Sequence, residues 1–378
     1  MKAKTLLVVC FLALLSVVSV VLVFSDTSSF WHAGVALGTT VYLFALHFAV
    51  LWFIVERLRG NQTARTVVVN ISVSVIAISL LAVGAEYSTR FLFRDVTTTG
   101  DNASFFSNRW LKTVHTNRLG FRERDFDVRK PPNTYRIAII GDSLAYGQGI
   151  PQTDRFGDRI ERHLNGLRRG PYEVLNFGVP GAETQDEVAL LVNTVLAAQP
   201  DFILLEWYTN DVQGPDDKQH AARPITVIPS TLRWNSALFY LLHRQLNALQ
   251  ESIWLSDATN RYYDERFKDP SSPSSLRANQ TIRTFIQLSK RFNVPLGIVL
   301  FSQTYFNPRS SLDFLLERTL KVCKDEKLRC VDTRPLFQPY HGDIRLWANR
   351  FDPHPSSLAN KLVAERLIET FDDVWGAR

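Results

Sequence analysis

The first 86 residues constrain this 378-residue chain more than any other part of it. Three runs, Thr5 to Phe24, Trp31 to Val55 and Thr66 to Ala85, are almost free of charge and about 20 residues long or longer, enough to cross ~30 Å of hydrocarbon as a helix. Three transmembrane helices are therefore expected. The third run carries Asn70, Ser72, Ser74 and Ser79, small polar groups of the kind found where membrane helices pack together. Lys2 and Lys4 precede the first run, and Arg57, Arg59 and Arg65 lie between the second and third, whereas Ser25 to Phe30 holds no basic residue. By the positive-inside rule the N-terminus is cytoplasmic, and an odd number of crossings leaves everything after Ala85 outside. A first run cleaved as a signal peptide would lead to the same side. His47, inside the second run, is read as a neutral imidazole bonded to a neighbouring helix, because no second ionisable group stands in these spans to relay a proton.

After Glu86 the composition is that of a soluble protein. The formal net charge is +6, but Lys and Arg are dispersed, and no basic block interleaved with aromatics appears. That argues against nucleic acid as a partner and fits attraction to anionic membrane lipids. Of three cysteines, Cys10 lies in the first apolar run, while Cys323 and Cys330 flank a charged stretch. These two can bridge in an oxidising compartment or stand as two separate buried thiols, and spacing leaves both open. No metal-ligand spacing is present, and none of the residues singled out below needs a cofactor.

Residues 87–134 contain turn and breaker chemistry, Thr97-Thr98-Thr99-Gly100 and Pro131-Pro132-Asn133, and read as a juxtamembrane connector. From Tyr135 the pattern becomes short apolar or β-branched runs with helix-like segments between most of them. The runs are Tyr135 to Ile140, Glu173 to Asn176, Phe202 to Trp207, Leu296 to Phe301 and Arg329 to Asp332. Strands joined by helical crossovers imply a parallel sheet with helices on both faces, and chemistry at the carboxyl ends of the strands. Residues 214–273 exceed one crossover and read as an insertion that includes an amphipathic piece, Leu238 to Leu249; a helix from about Ser274 to Phe292 follows it.

Small motifs fall at those strand ends. Gly141-Asp142-Ser143 follows the first, on a turn that exposes a serine hydroxyl and its backbone N–H. Asn176-Phe177-Gly178-Val179-Pro180-Gly181 closes the second, Tyr208-Thr209-Asn210-Asp211 the third, and Asp352-Pro353-His354-Pro355-Ser356 stands before a final helix running from Leu358 to about Val374. Asp142 and Asp211 read as hydrogen-bonders that hold their turns.

In these four blocks the chain resembles the SGNH (GDSL-like) hydrolase family, from about Tyr135 to the C-terminus; Asn117 to Arg122 also looks like a lead-in of its membrane-linked members. The resemblance implies an α/β fold, a three-layer flavodoxin-like parallel sheet following the three transmembrane helices. It implies Ser143 as nucleophile, His354 as general base, and the Ser143 N–H with Gly181 and Asn210 as an oxyanion hole. Two positions depart from the pattern. Tyr208 replaces a glycine and is expected to narrow the cleft, and Asp352 lies one residue closer to His354 than usual. Asp352 is the first candidate to orient the imidazole, but Pro353 suggests a turn there, which leaves Asp343 in reserve and a backbone carbonyl as a further alternative. The positive end of the final helix is expected to help keep His354 neutral.

The expected protein is thus an esterase or deacylase in a bacterial inner membrane, its catalytic domain periplasmic, acting on acylated glycan or lipid, O-acetyl esters first. The same residues would serve an O-acyltransferase with a sugar hydroxyl as acceptor. A non-catalytic carbohydrate-binding module is the third reading.

Overall fold

In a parallel sheet covered on both sides, every strand residue meets apolar neighbours, so strands read as unbroken apolar runs rather than alternations. Five short runs, apolar or β-branched apart from single polar residues and the charged ends of the last, pair in parallel in the order β2-β1-β3-β4-β5: β1 (Tyr135–Gly141), β2 (Tyr172–Gly178), β3 (Phe202–Trp207), β4 (Leu296–Leu300) and β5 (Arg329–Asp332). The computed structural model describes residues 52–53, 55–57, 59–99, 104–167, 170–214, 227–253, 258–305 and 311–375. The first expected membrane run with Cys10, and nearly all of the second with His47, lie outside them.

Two apolar layers follow from the two-residue period of the strands. Ala138, Ile140, Leu205 and Leu300 face a cluster completed by Ile282, Phe285 and Ile286 of the helix Pro273–Arg291 and by Leu315 and Cys323 of the helix Asp313–Asp325. Ile137, Ile139, Leu204 and Val299 face the opposite cluster, built on Phe156, Ile160 and Leu164 of the helix Phe156–Gly166 and on Val363, Leu367, Phe371 and Trp375 of the helix Ser357–Trp375. Each large side chain taken fully out of water contributes roughly 1.5–3 kcal/mol. The helix–sheet–helix sandwich is the expected fold. Cys323 and Cys330 are joined as a disulfide with Cα atoms 6.3 Å apart, tying the helix Asp313–Asp325 to β5.

The chain divides into two compact units: one holds the described residues within Met1–Asp95, Asp101–Arg109 and Thr226–Leu249, the other those within Val96–Gly100, Trp110–Ile225 and Gln250–Arg378. The sheet belongs to the second. The first contains α1 (Gln62–Leu92), 31 residues capped by Asn61, whose side chain accepts from Ala64 N at 3.0 Å. It is longer than the expected 66–85 and is long and apolar enough to cross a membrane. Val67, Val73, Ile78, Leu80 and Leu81 are exposed along it, while Ser72 and Ser79 are buried together with Val68 and Ile76, so its exposed side is strongly apolar.

The amphipathic piece of the insertion forms α2 (Ala237–Ile253). Its first N–H groups have no partner within the helix. Glu86, with no exposed surface, supplies one: its carboxylate accepts from Ala237 N at 3.0 Å, Leu238 N at 2.9 Å and Ser236 Oγ at 2.8 Å, and from Arg90 Nε at 2.6 Å. A carboxylate at a helix N-terminus is also favoured by the helix dipole.

Candidate active site

In this strand order the crevice opens where neighbouring crossovers diverge, between the ends of β1 and β3. The end of β1 turns directly into Asp142 and Ser143, and that of β3 into Tyr208, Thr209 and Asn210. Asp142 accepts from Leu144 N at 2.8 Å through Oδ1, which starts the short helix Ser143–Tyr146, and from Asn210 Nδ2 at 3.0 Å through Oδ2. Asp211 Oδ2 accepts from Tyr208 N at 2.7 Å. Both aspartates therefore hold turns. At the end of β2, Asn176 donates through Nδ2 to Ala145 O at 2.7 Å and accepts from Gly178 N at 2.9 Å. A Cβ on Gly178 would lie 2.4 Å from Tyr146 N, so this turn requires glycine; Gly181 has φ +78°, which glycine adopts without strain.

Ser143, Asp352 and His354 come together. Ser143 Oγ lies 2.9 Å from His354 Nε2, and His354 Nδ1 lies 2.5 Å from Asp352 Oδ1. With Nδ1–H donating to the carboxylate, Nε2 is left to accept from the serine. The turn expected at Pro353 is not formed. Asp352–Pro355 is a β-strand paired antiparallel with Trp347–Asn349. In this two-stranded ribbon Pro353 is exposed, so its missing N–H leaves no ladder bond unmade. Extended backbone then puts Asp352 and His354 on one face. Asp343 is not the orienting carboxylate; it accepts from Arg345 Nε at 2.6 Å.

Asp352 is wholly buried and accepts also from His354 N at 3.1 Å and from the Thr98 hydroxyl. Burial by itself would push its carboxyl up, but the His354 charge and hydrogen bonds and the Thr98 bond outweigh it and hold Asp352 below the usual carboxylate range. Burial pulls His354 down, yet the Asp352 carboxylate, with a smaller contribution from Asp142, raises it above an ordinary histidine. The adjacent Asp352 carboxylate is thus the main influence that favours the charged imidazole.

The lead-in Asn117 to Arg122 lies under the same loop. Asn117 Oδ1 accepts from Leu119 N and Phe121 N, and Arg122, almost without exposed surface, donates to Tyr146 O, Gly147 O and Ile150 O at 3.0, 2.6 and 2.7 Å. Thr98 was assigned to the connector by its turn-like composition, and Arg122 had only its place in the lead-in; in neither case does local sequence announce a hydrogen bond to Asp352 or to the loop after Ser143. Among the described residues no group of three or more His, Cys, Asp or Glu could hold a metal ion.

A family model for the GDSL-like Lipase/Acylhydrolase family matches residues 139–362, more than half of the chain. The chain belongs to this family. Its GDSL-type block is Gly141-Asp142-Ser143, and both Asn210 and His354 lie inside the matched span. No curated protein matches the chain. Among solved structures it is similar to a lipase/acylhydrolase from Enterococcus faecalis, at 14% identity over 63% of this chain and 96% of that one, with TM-score 0.40. It is also similar to an acetyl xylan esterase, at 14% identity over 62% and 98%, with TM-score 0.38.

Proposed function

We propose that this GDSL-family chain is a membrane-anchored serine esterase that removes ester-linked acyl groups from an envelope glycan or lipid. The observation that carries the reading is the unbroken contact from Ser143 Oγ through His354 to Asp352. Ser143 attacks the ester carbonyl as Nε2 of His354 takes its proton. The imidazolium, steadied by Asp352, then protonates the departing alkoxide and leaves an acyl-Ser143 ester. Water attacks that ester by the same route in reverse, regenerating serine and releasing the acid. The oxyanion formed in each half is stabilised by the Ser143 N–H, the Gly181 N–H and Asn210 Nδ2, the amide held by Asp142.

An open cleft of about 400 Å³ beside Gly181 is lined mainly by apolar side chains, among them Val179, Ala189 and Leu190, with Asp186 and Asn193 adding polar groups. An O-acylated glycan, acetyl first, is the substrate class put forward within that reading. Anchoring is supported by the outward apolar face of α1, and an oxidising, extracytoplasmic compartment by the Cys323–Cys330 disulfide.

The test uses the full chain in detergent and an activated acetyl ester. Turnover by wild type that is lost in both Ser143→Ala and His354→Ala is the expected result. Turnover that survives Ser143→Ala would sink the serine mechanism.

A further inference from the structure

Glutamate is an expensive residue inside a fully covered strand, where it must either find a cation or give up its charge. Glu206, in β3, has no exposed surface and no cationic partner among the described residues. It lies against the nucleophile turn: a Cβ on Gly141 would come within 2.5 Å of Glu206 Oε2. The Asp142 N–H donates to Glu206 Oε2 at 3.1 Å, which sets the two buried acids beside one another.

Of two adjacent buried carboxyl groups, the one with more donors keeps the negative charge. Burial raises Asp142 too, but the Leu144 N–H and Asn210 Nδ2 work against that rise. Glu206 Oε1 meets no donor among the described residues. Burial, then the charges of Asp142 and Asp211, push Glu206 well above the usual carboxylate range. Glu187 and Asp211, also buried, are pushed up in the same direction, so the cluster offers Glu206 no route to ionisation.

We infer that Glu206 is a positioning residue: as a neutral acid it donates to the Asp142 carboxylate and holds it so that Asp142 fixes both the Asn210 amide and the turn carrying Ser143. It touches no reacting atom and acts through Asp142. The inference rests on the serine-esterase reading, because the amide it positions is there an oxyanion donor.

The experiment compares wild type, Glu206→Gln and Glu206→Leu as full chains in detergent on the activated acetyl ester, with Ser143→Ala as the blank and a melting curve for each. A glutamine amide can accept from Asp142 N and donate to the Asp142 carboxylate; leucine fills the space and does neither. Glu206→Gln is expected to keep kcat within about threefold of wild type. Glu206→Leu is expected to lower kcat about 10- to 100-fold with KM nearly unchanged, less than the ~10²–10³ that follows loss of an oxyanion donor itself. Wild-type kcat in Glu206→Leu overturns the inference. So does a Glu206→Gln that melts like wild type yet loses turnover, which decides the matter even if the leucine variant does not fold. Wild type without Ser143-dependent turnover overturns the esterase reading itself, an outcome distinct from either.

Discussion

At Asp352 one carboxylate collects three donors, two from His354 and one from Thr98, and this sets the pH behaviour expected of the site. Because His354 must be neutral to accept the serine proton and its pKa is raised, kcat/KM should climb with pH along an acidic limb centred above 6.5. Asp352→Asn removes the influence that raises it, so the limb should move to lower pH while turnover falls on the order of 10³–10⁴ through loss of the imidazole's orientation. A pH–rate profile of both proteins checks the direction, and a limb that stayed in place would contradict the assignment. Asn210→Ala should cost on the order of 10²–10³ in kcat on the same ester. At this scale the sequence was readable where short motifs sit at strand ends: the structure brings Ser143 against His354 and Asn210 against Asp142. The pairing of Asp352 with His354 was not readable, since Pro353 is compatible with a turn and with an exposed strand. Thr98 was out of reach because its partner lies 254 residues away.

Elements carry a different kind of constraint. All five strands of the sheet were legible from their apolar runs, and their ends agree with the structure to within two residues. The ribbon formed by Trp347–Asn349 and Asp352–Pro355 was not, because three or four residues rich in proline carry no periodicity. The turn after β2 passes so close to the backbone of Ala145 and Tyr146 that Gly178→Ala should displace the loop carrying Ser143, lowering kcat and melting temperature together. The disulfide between Cys323 and Cys330 closes a short loop, for which chain entropy alone gives about 2 kcal/mol. Cys323→Ser should lower stability by about that amount in denaturant titration, with turnover little changed.

For the molecule as a whole, the sequence announced two regimes, apolar before Glu86 and soluble after it. What it did not announce is that the units interleave: Thr226–Leu249 groups with the N-terminal residues although it interrupts the catalytic half of the chain. Amphipathic spacing shows that α2 has an apolar side but not what it packs on. If α1 spans the bilayer, the full chain should pellet with membranes and resist alkaline carbonate, and added protease should reach the catalytic half only from the outer side; recovery in the soluble fraction would refute anchoring. The Glu86 carboxylate has a consequence for how such an enzyme could ever be set free. A protease cutting between Leu92 and Val96 would release nearly all of the chemistry, but it would leave Glu86 behind and strip Ser236, Ala237 and Leu238 of the acceptor they share. If α1 is the anchor, shedding is opposed from within, because the released part would lose the carboxylate that caps α2.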